Sequence, residues 1–254
     1  MNAILNIFKK KGNLSPSGVK TVDKILTSFG GMLEPAYCYG EKKKYPDYYK
    51  DLYMILDNGH GENTPGKRSP DGKFREYAYT RLIVSKIAEG LTEYGIESHI
   101  LVPEETDISL TERVKRANNI HNEQHKKGKT VIMISVHCNA AGNGEWKTAR
   151  GWSAYTSIGV TQADTVASCL YEAAHEVLDP KSIKIRTDKS DGDEDFESNF
   201  YIIYKSSMPA VLTENFFQDN KEDVAYMESE EGKKDIVDIH VKGIIKYIEL
   251  RLKR

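Results

Sequence analysis

The amino-acid sequence predicts an α/β fold: a single domain over residues 51–254, with a central twisted, mostly parallel sheet flanked by helices, behind an N-terminal extension over residues 1–50. Three observations lead there. The runs Leu52-Tyr53-Met54-Ile55-Leu56, Val131-Ile132-Met133-Ile134 and Pro209-Ala210-Val211-Leu212 have no polar break, as suits strands buried on both faces of a parallel sheet. Segments with helical spacing separate them, giving the strand–helix alternation of α/β proteins. A chain of 254 residues is long enough to bury the core of one such domain of about 200 residues.

Taken in order, residues 1–50 hold one amphipathic stretch. Ser15-Pro16-Ser17 opens it, Val19, Val22, Ile25, Leu26 and Phe29 share a face, and Gly30-Gly31 closes it. A tyrosine- and lysine-rich segment follows, from Tyr37 to Tyr49. One helix cannot sustain fifty residues by itself, so the expected arrangement is an extension packed on the main domain. A surface for carbohydrate, lined by those tyrosines and lysines, is the alternative.

The first strand runs into Asp57-Asn58, and a Gly/Pro loop leads to a helix over 74–94. Ile83, Ile87 and Leu91 repeat there every four residues, and Gly95 ends it. A second strand covers 96–102. A second helix covers 110–127, with Ser109 and Glu112 spaced as a capping box. The third strand, 130–137, is apolar at nearly every position and should be central. A fourth strand (151–157) and a third helix (161–178) come next. Two short strands, 183–185 and 200–204, are expected around a solvated acidic loop, Asp188-Lys189-Ser190-Asp191-Gly192-Asp193-Glu194-Asp195, which lacks the glycine placement of a calcium-binding EF-hand. A buried strand over 209–213 then ends at Glu214, and a last helix covers 232–252, with Val237, Val241, Ile244 and Ile248 on one face.

Composition narrows the function. Lys+Arg 36 against Asp+Glu 38 gives a net charge of -2, which argues against a nucleic-acid partner held by overall charge. Three cysteines, Cys38, Cys138 and Cys169, are too few for a disulfide framework. No stretch is long and apolar enough for a membrane span, so no stable membrane insertion is expected. At the N-terminus the apolar patch Ile4, Leu5, Ile7, Phe8 precedes Lys9-Lys10-Lys11. That order is the reverse of a secretion signal, and no such signal is read.

The chemistry is expected where three buried strands end, at His60, His137 and Glu214. Parallel strands joined by helical crossovers bring their carboxyl ends to one sheet edge, where open α/β sheets bind ligands. Glu76 stands in the first turn of the first helix, on the face of Ile83 and Ile87, and so points to the same edge. His60, Glu76 and His137 make a ligand set of two imidazoles and one carboxylate. Catalytic zinc sites use such sets and keep a fourth position open for water. Glu214 is then placed to act as the base. Each residue also has a plainer reading: Glu76 as a helix-dipole carboxylate, His137 as a hydrogen-bonded core histidine, Glu214 as the partner of Arg75 or Arg186. Cys138 neighbours His137 on a strand and faces the other way, so the two cannot share a metal. His240 reads as a satisfied core residue, and His99, His121, His125 and His175 as surface residues.

Four blocks together resemble the zinc-dependent N-acetylmuramoyl-L-alanine amidases of the Amidase_3 type, over roughly residues 52 to 250. They are Asp57-Asn58-Gly59-His60-Gly61, the helical Glu76, Ser135-Val136-His137-Cys138-Asn139-Ala140, and Pro209-Ala210-Val211-Leu212-Thr213-Glu214-Asn215-Phe216, with Arg113-Val114-Lys115-Arg116-Ala117-Asn118 between them. The resemblance implies cleavage of the amide between the lactyl group of N-acetylmuramic acid and L-alanine in peptidoglycan. It also implies zinc on His60, Glu76 and His137, with Glu214 as the catalytic glutamate. Two departures stand out: Pro103-Glu104 where many relatives have Thr-Arg, and Asn215 where a glycine is expected before the phenylalanine. No long blocking insertion is seen, so the groove should be open. A zinc peptidase or deacetylase, or a non-catalytic peptidoglycan-binding protein, is the alternative. The expected place of action is the bacterial cell wall, reached without a signal peptide, as by an endolysin or autolysin.

Overall fold

Strand β1 (Leu52–Asn58) is the axis of the molecule, buried at every position except Tyr53. The structure, a computed structural model, describes residues 45–252; they lie within one compact unit, Lys44–Arg254. After β1 come α1 (Glu76–Glu93), β2 (Glu97–Ile100), α2 (Leu110–Lys126), β3 (Thr130–Asn139), β4 (Ser153–Thr156), α3 (Gln162–Leu178), β5 (Phe196–Glu197), α4 (Tyr201–Tyr204), β6 (Ala210–Phe217), α5 (Lys221–Glu228) and α6 (Glu230–Arg251). One six-stranded sheet has the order β2-β1-β3-β6-β4-β5. The pairs β1–β2, β1–β3, β3–β6 and β4–β5 are parallel and the β4–β6 pair is antiparallel, so β4 and β5 run opposite to the other four strands. The chain leaves β1 to one side for β2 and returns to the other for β3. The β1/β3 boundary is therefore a topological switch point, the place where such sheets open a crevice.

Strand residues alternate between two faces, and each face has its own core. Met54, Leu56, Ile132, Ile134 and Val211 pack with α1, α3 and α6 through Ile83, Ile87, Leu91, Leu170, Ile236 and Ile244. Ile55, Val131, Met133 and Leu212 pack with α2 and α4 through Val114, Ala117, Ile202 and Ile203. Both faces of the central strands are covered, which is why their sequences are continuous apolar runs. Ser109 caps α2 by accepting from the Glu112 amide. The Glu112 carboxylate turns instead to Lys115 and Arg116, so only half of the expected capping box forms. A complete box opens α3, between Thr161 and Asp164.

Several expectations are corrected. Residues 200–204 form one helical turn rather than a strand: adjacent Ile202 and Ile203 are both buried against the same core, which strand alternation forbids. Residues 183–185 contribute a single bridge, Trp152 to Ile185. The acidic loop is not wholly solvated, since Asp195 is buried and accepts a hydrogen bond from Thr156 Oγ1 at 2.6 Å. Strands β3 and β6 do not stop at His137 and Thr213 but pair onward to Asn139 and Phe217. Helix α5 was not foreseen; Asn220 caps it through two amides.

The amphipathic stretch read in residues 15–31 lies outside the described residues. Tyr45, Tyr48 and Tyr49 are described, and they pack on the domain. Tyr45 and Tyr49 lie against the Tyr94 ring, and the hydroxyls of Tyr48 and Tyr49 donate to Glu249. Among the described residues no helix is long and apolar enough to cross a membrane.

Candidate active site

His60 follows β1 by two residues and holds φ at 60°, a conformation that costs a residue with a side chain about 1–2 kcal/mol. Two arginines hold it there. The His60 carbonyl accepts from Arg113 Nη2 at 2.9 Å and from both Arg81 terminal nitrogens at 3.2 Å. Arg113 is buried, and its Nη1 also binds Asp57 Oδ1 and the Asn58 carbonyl, each at 2.7 Å. Asp57 in turn accepts from Ser135 Oγ on β3. This network joins the end of β1, the start of the His60 loop and β3 into one rigid corner.

Glu76 enters from the first position of α1, fully buried, beside Ile83 and Ile87 as the helical spacing requires. Its Oε1 accepts the Cys138 amide at 2.9 Å and lies 3.5 Å from His60 Nε2 and 3.3 Å from His137 Nδ1. Its Oε2 is buried with no hydrogen-bond partner. The two imidazoles meet edge to face, with centroids 4.9 Å apart. One potential ligand atom from each of the three residues falls within 4.8 Å of the other two, a grouping able to hold a metal ion. Gly59 makes this convergence possible. A Cβ there would stand 2.5 Å from His137 Cε1 and Nδ1, so this glycine leaves room for the ring of the other histidine rather than for its neighbour His60.

Glu214 lies directly across from His137 in the parallel β3–β6 register, which puts both side chains on the same face of the sheet. Just beyond, β6 takes three residues to reach Phe217 while β3 takes two to reach Asn139. This bulge puts the backbone of Phe216 at φ 69°. Phe216, and not Asn215 at the place where the motif has its glycine, therefore holds the backbone conformation that glycine adopts most readily. Asn215 bridges the two strands, donating to the His137 carbonyl at 3.0 Å and accepting from the Trp152 indole. The other departure is equally accommodated: Glu104 forms a two-pronged pair with Arg116, and its carbonyl accepts from Arg81.

Burial and the contacts with Glu76 together set the protonation of the site. Burial drives His60 down to about 4 against the pull of Glu76, so that imidazole is neutral near pH 7, whereas the burial of His137 is outweighed by the Glu76 carboxylate, which holds it above the ordinary imidazole value. Burial opposes ionisation of Glu76, but the hydrogen bond to His137, with the attraction of His60, His137 and Lys67 for its negative charge, outweighs it and leaves its pKa below the usual carboxylate value. Burial pushes Glu214 up to about 7, with the Glu76 charge adding to it and His137 opposing. Lys67 and Arg186 both bear on Glu214 from the surrounding loops, yet neither Arg75 nor Arg186 forms an ion pair with it among the described residues. The Glu214 Oε2 atom is buried and without a partner.

The other candidates sort as expected. The Cys138 thiol turns away to Met227 Sδ at 3.7 Å. His240 is fully buried, bonded to the Ile236 carbonyl and to Thr213 Oγ1. The four residues picked from the sequence thus meet at one place. The arginine clamp on His60 has no local sequence signal: Arg113 stands in the block Arg113 to Asn118, but its partners Asp57, Asn58 and His60 lie more than fifty residues away.

The family model described as N-acetylmuramoyl-L-alanine amidase (Amidase_3) matches residues 54–246. The chain is 26% identical over 202 residues to the endolysin of Bacillus phage SPP1, covering 78% of this chain and 66% of that protein, just under two thirds of its length. It is also 26% identical over 200 residues to the N-acetylmuramoyl-L-alanine amidase CwlM of Bacillus licheniformis, covering 78% of this chain and 69% of that one. Among solved structures, the N-acetylmuramoyl-L-alanine amidase from Clostridium difficile 630 superposes with a TM-score of 0.67 at 23% identity, covering 80% of this chain and 99% of that chain, and so shares the fold. With the family model spanning most of its length, the chain belongs to the N-acetylmuramoyl-L-alanine amidase family.

Proposed function

We propose that the protein hydrolyses the amide between the lactyl group of N-acetylmuramic acid and L-alanine of the peptidoglycan stem peptide, with zinc held by His60, Glu76 and His137 and with Glu214 as general base. The observation that carries this reading is the convergence of three ligand atoms beside an unpaired, partly buried carboxylate. The residues fit zinc on three grounds. Two imidazoles and one carboxylate are the donor types of catalytic zinc. His60 is neutral, as a ligand must be. Glu76 keeps a buried oxygen that nothing else satisfies.

Zinc in this place would supply Lewis acidity, making water nucleophilic near neutral pH and polarising the carbonyl. The remaining work falls to the chain. Arg81 and Arg113 fix the His60 backbone, and the Cys138 amide fixes Glu76 Oε1. Glu214, with its proton affinity raised to about 7 by burial, is matched to taking a proton from the attacking water and releasing it to the leaving nitrogen of L-alanine. Such pairing of a low and a raised carboxylate, Glu76 and Glu214, is how two identical groups divide ligand and acid–base roles.

Purified peptidoglycan digested with the protein and analysed by mass spectrometry should yield peptides with free L-alanine amino ends and intact glycan strands. New reducing ends, deacetylated sugars or cuts within the stem peptide would overturn the assignment and favour a deacetylase or peptidase on the same ligand set.

A further inference from the structure

We propose that Arg186 forms a carboxylate-binding subsite beside the catalytic glutamate, which takes the free carboxylate of the second stem residue; the proposal rests on the amidase reading above. The Arg186 guanidinium lies over two aromatic rings, with its central carbon 5.1 Å from the Phe196 centroid and 5.1 Å from the Phe217 centroid. Contact with two rings holds a guanidinium by cation–π attraction while its N–H fork keeps the capacity for two parallel hydrogen bonds. Its Nη1 is buried and donates to nothing, and no described carboxylate pairs with the group.

The backbone behind it is fixed. The Arg186 amide donates to Trp152 O at 2.8 Å, and its carbonyl accepts the Tyr171 hydroxyl at 3.0 Å. Gly151 leaves the room: a Cβ there would come within 3.2 Å of Arg186 Cγ. Position links the group to catalysis. Phe217 ends the strand that carries Glu214, so the stack stands at the catalytic edge of the sheet. In support, the Arg186 charge is felt by Glu214, although the two form no ion pair.

A buried, unpaired charged donor is unfavourable until an acceptor arrives. A carboxylate matches the planar fork with two parallel hydrogen bonds. In the stem peptide, L-alanine is followed by a glutamate joined through its side-chain carboxyl, which leaves the α-carboxylate free close to the scissile amide. Some cell walls carry this group as an amide. Arg186 therefore selects for unamidated stems.

The test compares two soluble substrates, N-acetylmuramoyl-L-alanyl-γ-D-glutamate and its α-amide, with zinc-loaded wild type and Arg186→Met, whose side chain keeps an unbranched stem against the rings without charge. Wild type should show KM lower by about 10- to 100-fold for the carboxylate. In Arg186→Met that ratio should collapse toward one, with kcat on the carboxylate much less affected than KM. Arg186→Lys, which keeps charge but loses the fork, should restore part of the ratio. Equal KM values in wild type overturn the proposal without recourse to any variant. So does a fall in kcat of the same size on both substrates, which would place Arg186 on the reacting carbonyl. Cleavage of neither substrate by wild type would count against the amidase reading instead. The subsite is then read by titrating L-alanyl-γ-D-glutamate and its amide into both proteins, where equal affinities refute it.

Discussion

Replacing Gly59 with alanine tests the geometry of the site through a residue that donates nothing to it. The new Cβ would lie 2.5 Å from His137 Cε1 and Nδ1 and 2.9 Å from Cγ, whereas carbon atoms rest at about 3.5–4.0 Å. The ring must therefore withdraw by about 1 Å. Strand β3 cannot yield, being paired on both sides. Nor does Glu76 follow the ring, because the Cys138 amide and its place on α1 hold it. The relief has to come from rotating the imidazole, which separates Nδ1 from Glu76 Oε1, now 3.3 Å away. The backbone is not the obstacle, since Gly59 has no positive φ. Overpacking of this kind costs about 1–3 kcal/mol, so the variant should fold. Zinc affinity should fall by at least about 10–100-fold, the range for disturbed supporting contacts. Competition against a chromophoric chelator measures the affinity, and melting with and without zinc measures the coupling. A Gly59→Ala protein that binds one zinc with wild-type affinity would refute both the ligand role of His137 and the reason given for the glycine.

Three further outcomes are expected. Glu214→Gln should retain zinc and lose turnover by about 10²–10⁴-fold; near-normal turnover would mean that another group takes the proton. His240 is neutral and buried, with its pKa driven from 6.5 down to about 4, so its contribution is intact above pH 6.5 and is lost as pH falls toward 4. By linkage this removes about 3 kcal/mol of stability by pH 4, about 2 kcal/mol of it by pH 5; urea unfolding at pH 7.5 and pH 5 should show that loss in wild type and a flatter profile in His240→Gln, and equal slopes would contradict it. Asp195 has the opposite sign: burial, with Asp193 adding to it, pushes it from 3.8 up to about 7, so stability declines as pH rises from about 4 through 7. Asp195→Asn keeps an acceptor for Thr156 and should be more stable than wild type above pH 7, with the gain shrinking toward pH 4; a gain independent of pH would count against a charge effect.

The sequence alone was sufficient for the parallel centre of the sheet and for the four residues at its edge. Strands buried on both faces write their burial directly as apolar runs, and the carboxyl ends of such strands are where the chain must leave the sheet, so His60 and Glu214 could be placed from local pattern. Glu76 was legible because helical spacing ties it to Ile83 and Ile87. What only the tertiary structure decided are properties that depend on a partner distant in sequence. Residues 201–204 are a helical turn because Ile202 and Ile203 share one core with Ile55 and Met133; a four-residue stretch has no period strong enough to announce that. Asp195 is buried where Thr156 on a neighbouring strand donates a hydrogen bond to it, while its local sequence is mostly acidic. Gly59 serves a ring 78 residues further along the chain, and the positive φ of Phe216 comes from a bulge that exists only where β6 meets β3. Local sequence carries periodicity and burial, which are averages over a segment. The clearance of an imidazole, the satisfaction of a guanidinium and the register of a bulge are set by single contacts between segments, and the folded chain is where those contacts first exist.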